Sequence, residues 1–305
     1  MNLDNVFGAL SKILPQDQLL RKESMKRHTS FHIGGPVDLM ILPEKTKQIQ
    51  DALTILREND VPFMIMGNGT NLLVRDKGIR GAVIKLATDR FSHAEVKGET
   101  IRAQSGILLS ALSGLALHSS LTGLEFASGI PGSLGGAVAM NAGAYGGEMK
   151  DVVQKISILD ENGKQTVLQG EQMALGYRTS IVQNSRKIIL ETFLSLKKGD
   201  YEESRKMIRD LTKRRQEKQP LSYPSAGSTF QRPVGYYAGK LIQDAGLRGL
   251  RAGDAQISEL HSGFIINLGN ATARDVLELI DQVKKRVREQ SGVELQPEVR
   301  IVGQE

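Results

Sequence analysis

Apolar residues recur at every third or fourth position in several segments of the chain, with polar residues between them. This spacing places the apolar side chains on one face of an α-helix. In the amino-terminal segment the apolar positions are Leu3, Val6, Phe7, Leu10 and Leu14. The pattern predicts helices within residues 1–23, 46–59, 108–119, 203–217, 235–244 and 272–290.

Shorter apolar or alternating runs between these segments are typical of β-strands. The predicted strands cover residues 63–66, 81–86, 93–104 (as short strands), 152–160, 164–168, 187–196, 252–257, 264–267 and 293–302. Two of them flank Glu161-Asn162-Gly163, and an Asn-Gly pair between strands is a strong signal for a hairpin. The sequence therefore predicts a hairpin over residues 152–168.

The composition is ordinary for a globular protein. The chain has 305 residues, of which 40% are hydrophobic and 24% charged. This length allows two or three subdomains, and the change of pattern near residue 202 predicts a boundary there. The absence of cysteine excludes disulfides, iron–sulfur clusters, thiolate–zinc sites and a cysteine nucleophile. The five histidines form no metal-binding motif, so we expect no catalytic metal.

The charge and the amino terminus limit the partners and the location. A formal charge of +6 suits an anionic partner, either a nucleic acid or a phosphorylated small molecule. The basic run 213–218 contains interleaved Gln and Glu and no aromatic residue, so we interpret it as a solvated helix face and expect no nucleic-acid partner. The amphipathic start has no signal-peptide core, and no segment is apolar enough to span a membrane. We expect a cytoplasmic protein with no membrane partner.

Residues 128–147 contain seven glycines and no charged side chain. Glycine within an element costs ~0.5–1 kcal/mol relative to alanine, so such a run is tolerated mainly where peptide N–H groups contact a ligand or where φ is positive. A flexible linker would be polar, whereas Ile130, Leu134 and Val138 are apolar. The segment therefore predicts a backbone surface for a flat or anionic ligand.

A second glycine loop, residues 67–71, follows the apolar run 63–66. Two such loops suggest one extended ligand. The loop is not a dinucleotide-binding fingerprint, because Leu72 stands where the third glycine should be, and a Rossmann fold is disfavoured. A nucleoside-triphosphatase loop is also excluded, because the nearest imitation, residues 235–240, is one residue short and precedes Leu241.

Seven short motifs, in order along nearly the whole chain, resemble those of the UDP-N-acetylenolpyruvoylglucosamine reductase family. They are Phe31-His-Ile-Gly-Gly-Pro36, Gly67-Asn-Gly-Thr-Asn-Leu-Leu73, Gly129-Ile-Pro-Gly-Ser-Leu-Gly-Gly136, Asn141-Ala-Gly-Ala-Tyr145, Tyr177-Arg-Thr-Ser180, Pro224-Ser-Ala-Gly-Ser-Thr-Phe230 and Pro297-Glu-Val-Arg300. Any one of these strings could occur by accident, whereas the ordered set is specific.

The resemblance implies an α+β flavoprotein, with a two-subdomain FAD-binding fold of the vanillyl-alcohol-oxidase (PCMH) type and a carboxyl-terminal α+β substrate-binding domain. The FAD-binding subdomains would be residues 1–86 with 296–305 and residues 87–202, and the substrate-binding domain residues 203–295. The implied activity is the NADPH-dependent reduction of UDP-N-acetylenolpyruvoylglucosamine to UDP-N-acetylmuramate in peptidoglycan precursor synthesis. We expect the chain to act as a monomer.

The resemblance assigns the family's catalytic positions to Arg178, Ser228 and Glu298. Reduction of an enolpyruvyl ether adds hydride to the methylene carbon and pushes negative charge into the carboxylate. A guanidinium stays protonated and can bind a carboxylate through two parallel hydrogen bonds, which suits Arg178. Ser228 would protonate the α-carbon as a general acid. Glu298 would hydrogen-bond the substrate carboxylate if protonated, or orient Arg178 or a water if ionised.

Without the resemblance, a structural role would be a simpler interpretation of each of these three residues than a catalytic role. Arg178 could form a surface salt bridge, and Ser228, which follows a glycine between two prolines, could be a turn residue. Glu298 could be an exposed strand carboxylate paired with Arg300.

The resemblance also implies which residues hold the ligands. Neither glycine loop contains histidine or cysteine, so we expect noncovalent FAD. The residues expected to hold it are Gly67, Asn68, Gly69, Thr70, Asn71, Ser128, Gly129, Ile130, Pro131, Gly132, Gly135, Gly136, Asn141 and Gly143. The residues expected to bind the substrate are Tyr177, Arg232 and Lys240. Many relatives carry Lys-Asn-Pro where this chain has Gln231-Arg232-Pro233, so Arg232 or Lys240 would meet the substrate phosphate.

The segment between Arg178 and the helix near 203 is short, which resembles the family's shorter class, without an inserted substrate-capping loop. No separate Rossmann domain is present for NADPH. We therefore expect the nicotinamide and the sugar nucleotide to use the same flavin face in turn, with ping-pong kinetics.

Two other functions fit parts of the sequence. A flavin-dependent alcohol or sugar oxidase on the same fold would pass electrons to oxygen. A basic protein that binds uridine nucleotides or nucleic acid would need no flavin.

Overall fold

The computed structural model describes residues 3–183 and 185–305. In these residues the α-helices are α1 (Leu3–Leu10), α2 (Thr46–Glu58), α3 (Leu109–His118), α4 (Leu134–Ala139), α5 (Tyr201–Lys218), α6 (Ala238–Asp244) and α7 (Ala273–Ser291). The β-strands are β1 (Leu19–Ser24), β2 (Pro36–Ile41), β3 (Phe63–Met66), β4 (Leu72–Val74), β5 (Ile79–Lys85), β6 (Ala94–Lys97), β7 (Thr100–Gln104), β8 (Leu121–Thr122), β9 (Gly143–Ala144), β10 (Gly147–Glu148), β11 (Val153–Leu159), β12 (Gln165–Gln169), β13 (Ile188–Ser195), β14 (Lys197–Lys198), β15 (Ser225–Ser228), β16 (Arg251–Ala252), β17 (Ala255–Ile257), β18 (Phe264–Asn267) and β19 (Arg300–Val302).

The chain divides into two compact units. Unit 1 contains the described residues of 3–20, 39–68 and 81–215, and unit 2 contains residues 21–38, 69–80 and 216–305. Among the described residues, no helix is long and apolar enough to cross a membrane. Within the same residues, no group of His, Asp and Glu side chains could hold a metal ion.

Unit 1 is built around a five-stranded antiparallel sheet in the order β12-β11-β13-β7-β6. The alternating buried positions of its strands and the apolar faces of α3 and α4 share one core, which includes Ile101, Leu112, Leu134, Val138 and Ile156. A second core contains apolar residues of α1, α2, β3 and β5. β3 and β5 are parallel neighbours. β3 ends at Met66, directly before the loop 67–71.

Unit 2 contains a four-stranded antiparallel sheet in the order β15-β18-β17-β16, whose core includes apolar residues of α6 and α7. α7 begins with a capping box: Thr272 Oγ1 accepts from Asp275 N at 3.2 Å, and Asp275 Oδ2 accepts from Thr272 N at 2.8 Å. It ends at Ser291, and the following residue, Gly292, has a left-handed φ of +72°. β19 pairs in parallel with β4, so the last strand lies beside the segment that follows the loop 67–71.

Several sequence predictions are confirmed. The strands predicted at 63–66 and 264–267 are β3 and β18. The predicted hairpin is formed by β11 and β12; Asp160 N donates to Lys164 O at 2.9 Å, and Gly163 takes a φ of +78°. The division into three domains stays a prediction.

Other predictions are wrong in their extent. The amino-terminal helix ends at Leu10, because Pro15 cannot continue a helix, and residues 19–24 form β1 instead. The last strand is only Arg300–Val302, since Pro297 has no N–H to donate to a ladder. β15 lies in the segment 220–233, where no helix or strand was predicted; it was missed because it is short and rich in small residues.

Candidate active site

The loop 67–71 keeps its peptide N–H groups unpaired. None of these five N–H groups donates to an acceptor among the described residues. A side chain at Gly67 would place its Cβ 2.5 Å from Ser133 Oγ, so glycine is needed there for space. Gly69 has a φ of +68°, which favours glycine for conformation. Successive free peptide donors of this kind form a concave anion-binding surface.

The loop 128–136 is anchored through its last residues. Leu134 N donates to Ile107 O at 2.8 Å, and Gly135 N donates to Ser105 O at 2.9 Å. Ser105 also explains the glycine at 135, because a Cβ at that position would lie 2.7 Å from Ser105 Cβ. These contacts hold the loop without using the N–H groups of its first half.

The part of this loop before Leu134 presents polar groups without partners. The N–H groups of Gly129, Gly132 and Ser133 donate to no acceptor among the described residues. Ser133 Oγ is buried and has no hydrogen-bond partner there either. Asn68 Nδ2 donates to Pro131 O at 2.7 Å, which holds residues 67–68 beside the loop. Buried polar groups are nearly always hydrogen-bonded, so these donors indicate a surface for an anionic ligand.

Two residues of this surface were missed by the sequence analysis. Ser133 lies inside the recognised motif 129–136, and its position between glycines was the available signal. Arg215 belongs to the basic run 213–218, which the sequence predicts to be a solvated helix face. The other five residues of the run are exposed, but Arg215 is half-buried and packs on Gly129, where a Cβ would lie 3.1 Å from Arg215 Cδ.

The electrostatic surroundings of Arg215 are unusual for an arginine. Burial lowers the pKa of its guanidinium, and the electrostatic interaction with Tyr145 acts in the opposite direction. No carboxylate of the described residues forms an ion pair with it. A desolvated cation of this kind is costly unless an anion compensates it.

Asn141 organises the neighbouring turn through its side chain. Asn141 Nδ2 donates to Glu148 Oε2 at 2.7 Å and to Gly176 O at 3.0 Å, and Oδ1 accepts from Lys150 N at 2.8 Å. Its φ is +41°. Gly143 is required for close approach, since a Cβ there would lie 2.8 Å from the carbonyl oxygen of Gly147. Asn141 therefore connects the glycine-rich segment to the turn that carries Tyr177 and Arg178.

Arg178 occupies a strained turn in unit 1. Its φ is +53°, an uncommon conformation for a residue with a side chain, of a kind that costs about 1–3 kcal/mol and is often found at functional sites. The turn is closed by hydrogen bonds between Gly176 and Thr179, and Gln183 Nε2 donates to Arg178 O at 2.8 Å. The guanidinium carbon lies 5.3 Å from the centroid of the Tyr177 ring. The turn thus presents Tyr177 and Arg178 together.

Ser228 and Glu298 are brought together by backbone contacts in unit 2. Ser228 ends β15, follows Gly227 at a φ of +74°, and has an exposed side chain. Thr229 O accepts from Glu298 N at 2.8 Å, so the residue after Ser228 pairs directly with the segment carrying Glu298. Asn71 Nδ2 donates to Glu298 O at 3.1 Å. Unit 2 therefore gathers residues 69–71, the serine and the glutamate in one place.

The predicted substrate-binding cations lie on the surface of unit 2. Arg232 is exposed, its Nε donates to Tyr236 O at 3.3 Å, and its guanidinium carbon stacks 4.0 Å from the centroid of the Tyr237 ring. Lys240, on α6, forms an ion pair with Asp244. Arg232 is thus held over an aromatic ring, whereas Lys240 is engaged within its own helix.

The predicted site residues fall into two groups. Unit 1 holds Gly67, Asn68, Ser128, Gly129, Ile130, Pro131, Gly132, Gly135, Gly136, Asn141, Gly143, Tyr177 and Arg178, and unit 2 holds Gly69, Thr70, Asn71, Ser228, Arg232, Lys240 and Glu298. A cavity of about 660 Å³ in unit 2 contains none of them. Its walls are charged side chains of both signs, including Lys284, Arg288 and Glu294.

Comparison with known proteins identifies similar sequences over almost the whole chain. The model of the UDP-N-acetylenolpyruvoylglucosamine reductase carboxyl-terminal domain matches residues 219–302, and an FAD binding domain model matches residues 37–169. The chain is 57% identical over 299 residues to the UDP-N-acetylenolpyruvoylglucosamine reductase of Alkaliphilus oremlandii, covering 98% of both chains. It is 55% identical over 295 residues to the enzyme of the same name from Caldanaerobacter subterraneus, covering 97% of both.

Among solved structures, the chain is similar to the crystal structure of UDP-N-acetylenolpyruvylglucosamine reductase from Thermus caldophilus. The TM-score is 0.79 at 36% sequence identity, and the match covers 93% of this chain and 97% of that one. The likeness confirms the predicted α+β flavin-binding fold.

Proposed function

Because the chain belongs to the UDP-N-acetylenolpyruvoylglucosamine reductase family, we propose that it reduces UDP-N-acetylenolpyruvoylglucosamine to UDP-N-acetylmuramate with NADPH as the electron donor. The chain is an FAD-dependent oxidoreductase, and the reductase activity of its family belongs to peptidoglycan precursor synthesis.

The residues present fit FAD. The unpaired N–H groups of Gly67, Asn68, Gly129, Gly132 and Ser133, all in unit 1, are suited to the diphosphate oxygens, and the buried Ser133 hydroxyl adds a further donor. This set of unpaired donors is the observation that carries the proposal. FAD, when bound, would supply the redox chemistry, accepting hydride from NADPH and delivering it to the methylene carbon of the substrate. Neither loop offers a histidine or cysteine for a covalent link.

Arg178 would stabilise the negative charge that develops on the substrate. Hydride addition to the enolpyruvyl group creates an enolate whose charge spreads into the carboxylate, and a guanidinium can bind both carboxylate oxygens at once. The turn from Gly176 to Thr179 and the bond from Gln183 fix the Arg178 backbone before substrate arrives. A preorganised donor of this type is typically worth ~2.7–4 kcal/mol in the transition state.

Ser228 would complete the reaction by giving its hydroxyl proton to the α-carbon. A serine hydroxyl is a weak acid, but the enolate carbon is a strong base, so the transfer is feasible, and positioned proton transfer contributes typically ~10²–10⁴ in rate. The left-handed Gly227 and the pairing of β15 with β18 hold the serine in an exposed position. Glu298, tied to Thr229 through its backbone, would hydrogen-bond the substrate carboxylate if protonated, or orient Arg178 or a water if ionised.

Recognition of the substrate diphosphate would fall to Arg232. Its guanidinium is stacked on Tyr237, which holds it in place on the surface of unit 2, and Lys240 is the alternative cation. NADPH and the sugar nucleotide would use the site in turn, giving ping-pong kinetics. A monomeric state and a cytoplasmic location stay predictions from the sequence.

Half-reaction measurements on Ser228→Ala test the proposal. NADPH should reduce the flavin of this variant at the wild-type rate, whereas reoxidation by UDP-N-acetylenolpyruvoylglucosamine should slow by ~10²-fold or more, because only the second half needs the proton. Ser225→Ala, on the same strand, is the matched control and should reoxidise normally. Arg178→Lys should also slow reoxidation, since an ammonium cannot reproduce the planar fork. Normal reoxidation of Ser228→Ala would remove the role assigned to the serine.

A further inference from the structure

Arg215 is a partly desolvated cation for which the described residues supply no carboxylate partner. Its guanidinium is desolvated enough for its pKa to be lowered, yet none of the described carboxylates pairs with it. Lys150 of the same unit differs, because it pairs with Glu148 at 2.5 Å. A cation withdrawn from water without a partner is destabilising, so its retention points to an anion that arrives from outside the chain.

The position of Arg215 identifies where that anion would bind. The side chain packs against Gly129 with Cδ 3.1 Å from the place a Cβ would occupy, so it lies on the loop 128–136 itself. The same loop carries the unpaired N–H groups of Gly129 and Gly132 and the buried, unpartnered hydroxyl of Ser133. Peptide donors and a hydroxyl can satisfy phosphate oxygens, but they carry no net charge. The guanidinium would supply the missing positive charge.

The helix that carries Arg215 is fixed to this loop by a buried carboxylate. Glu125 accepts hydrogen bonds from Ser204 Oγ, near the start of α5, at 2.8 Å and from Thr122 Oγ1 at 2.7 Å. Ser128 Oγ, the first residue of the loop, donates to the carbonyl oxygen of Glu125 at 2.8 Å. Glu125 therefore ties the helix and the loop to one point, which limits how far Arg215 can move from the loop.

We infer that Arg215 is the cation that pairs with the diphosphate of the bound FAD, so that the chain selects flavins by their phosphate groups as well as by the isoalloxazine ring. This inference rests on the function proposed above. A guanidinium can bind two phosphate oxygens through parallel hydrogen bonds, so arginine is better suited to this place than lysine. Riboflavin, which has no phosphate, would gain nothing from Arg215.

Flavin-binding titrations of the flavin-free protein test the inference without relying on turnover. FAD and riboflavin are titrated into wild type, Arg215→Met, Arg215→Lys and, as a matched control with the same loss of charge on an exposed neighbour, Arg214→Met. Arg215→Met should weaken FAD binding at least tenfold and leave riboflavin binding within twofold of wild type. The FAD affinity of Arg215→Lys should lie between those of wild type and Arg215→Met. Arg214→Met should bind both ligands with wild-type affinity. Higher salt should weaken FAD binding by wild type more than by Arg215→Met.

Two outcomes would overturn the inference: FAD binding within twofold of wild type in Arg215→Met, or an equal loss for FAD and riboflavin, which would show a structural role. If Arg215→Met does not fold, the same comparison of FAD and riboflavin in Arg215→Lys decides. The proposed function fails in a different way. Wild type that binds no flavin, or that binds FAD and does not reduce the enolpyruvyl sugar nucleotide, would refute that function, and only the first of these results would also remove the role of Arg215.

Discussion

Gly67→Ala is the substitution that tests the geometry of the two cofactor loops most sharply. Gly67 lies outside the left-handed region, so its backbone would accept alanine, and space alone excludes a side chain. The added Cβ would lie 2.5 Å from Ser133 Oγ and 3.7 Å from Gly136 N. The clash therefore involves a single hydroxyl, which cannot leave without disturbing the donor that we assign to FAD.

The size of the effect follows from the type of contact. Overpacking of a well-packed site costs typically ~1–3 kcal/mol, which corresponds to a loss of FAD affinity of roughly 5-fold to 150-fold. Ser133→Ala alone should cost about 1.5–3 kcal/mol of FAD binding, since a hydrogen bond to a charged phosphate is lost. In the double variant the methyl group added at position 67 no longer meets the hydroxyl. The two substitutions together should cost at least ~1 kcal/mol less than the sum of the single effects.

The assay is titration of flavin-free protein with FAD, with thermal unfolding as a check on folding. Gly114→Ala is the matched control: this glycine lies inside α3 with nothing within 4 Å of an added Cβ. It should leave FAD affinity unchanged and raise stability by ~0.5–1 kcal/mol. Wild-type FAD affinity in Gly67→Ala, or strict additivity in the double variant, would refute the contact between the loops 67–68 and 128–136.

Two further predictions concern Glu125, which is buried, and His261, which is half-buried. Burial alone would raise the pKa of Glu125, but hydrogen bonds from Thr122, Ser204 and Gly123 outweigh this effect and lower the pKa. The carboxylate therefore stabilises the fold fully above its unfolded pKa, and this stabilisation is lost as the pH falls through the folded pKa. Thermal unfolding of Glu125→Gln should therefore occur at a lower temperature than wild type at pH 7, with a gap that narrows in acid; a gap independent of pH would contradict this. Burial lowers the pKa of His261, whose Nδ1 accepts from Gly263 N at 3.1 Å, so this neutral histidine should cost stability as the pH falls below ~6.5. His261→Gln should lose less stability than wild type between pH 7 and pH 5, and an equal loss would assign the acid sensitivity to other groups.

Local signals in the sequence were sufficient for much of the fold. The Asn162-Gly163 turn predicted the hairpin of β11 and β12, and the apolar spacing of residues 272–290 predicted α7 to within one residue at either end. The amino-terminal helix was overextended because apolar spacing was weighed more heavily than Pro15. β15 could not be found from its own residues, since Ser225–Ser228 acquires its strand geometry by pairing with β18.

Local sequence signals were likewise sufficient for only part of the candidate site. Motifs located the glycine loops, but they could not show which N–H groups stay unpaired, because this depends on distant acceptors such as the carbonyl oxygens of Ser105 and Ile107. The sequence could not distinguish Arg215 from the other residues of the run 213–218, and only the folded chain shows it packed on Gly129. Asn141 was predicted as a cofactor ligand, and that stays a prediction, although its side chain already makes three hydrogen bonds within unit 1.

The most direct test of the proposed reductase activity is an anaerobic absorbance titration of the purified wild-type protein. We predict a flavin spectrum from FAD that bleaches on addition of NADPH and recovers when UDP-N-acetylenolpyruvoylglucosamine is added without oxygen. A spectrum that recovers only with oxygen would favour a sugar or alcohol oxidase. A protein that shows no flavin absorbance and takes up no FAD would contradict the proposed flavin-dependent reductase activity.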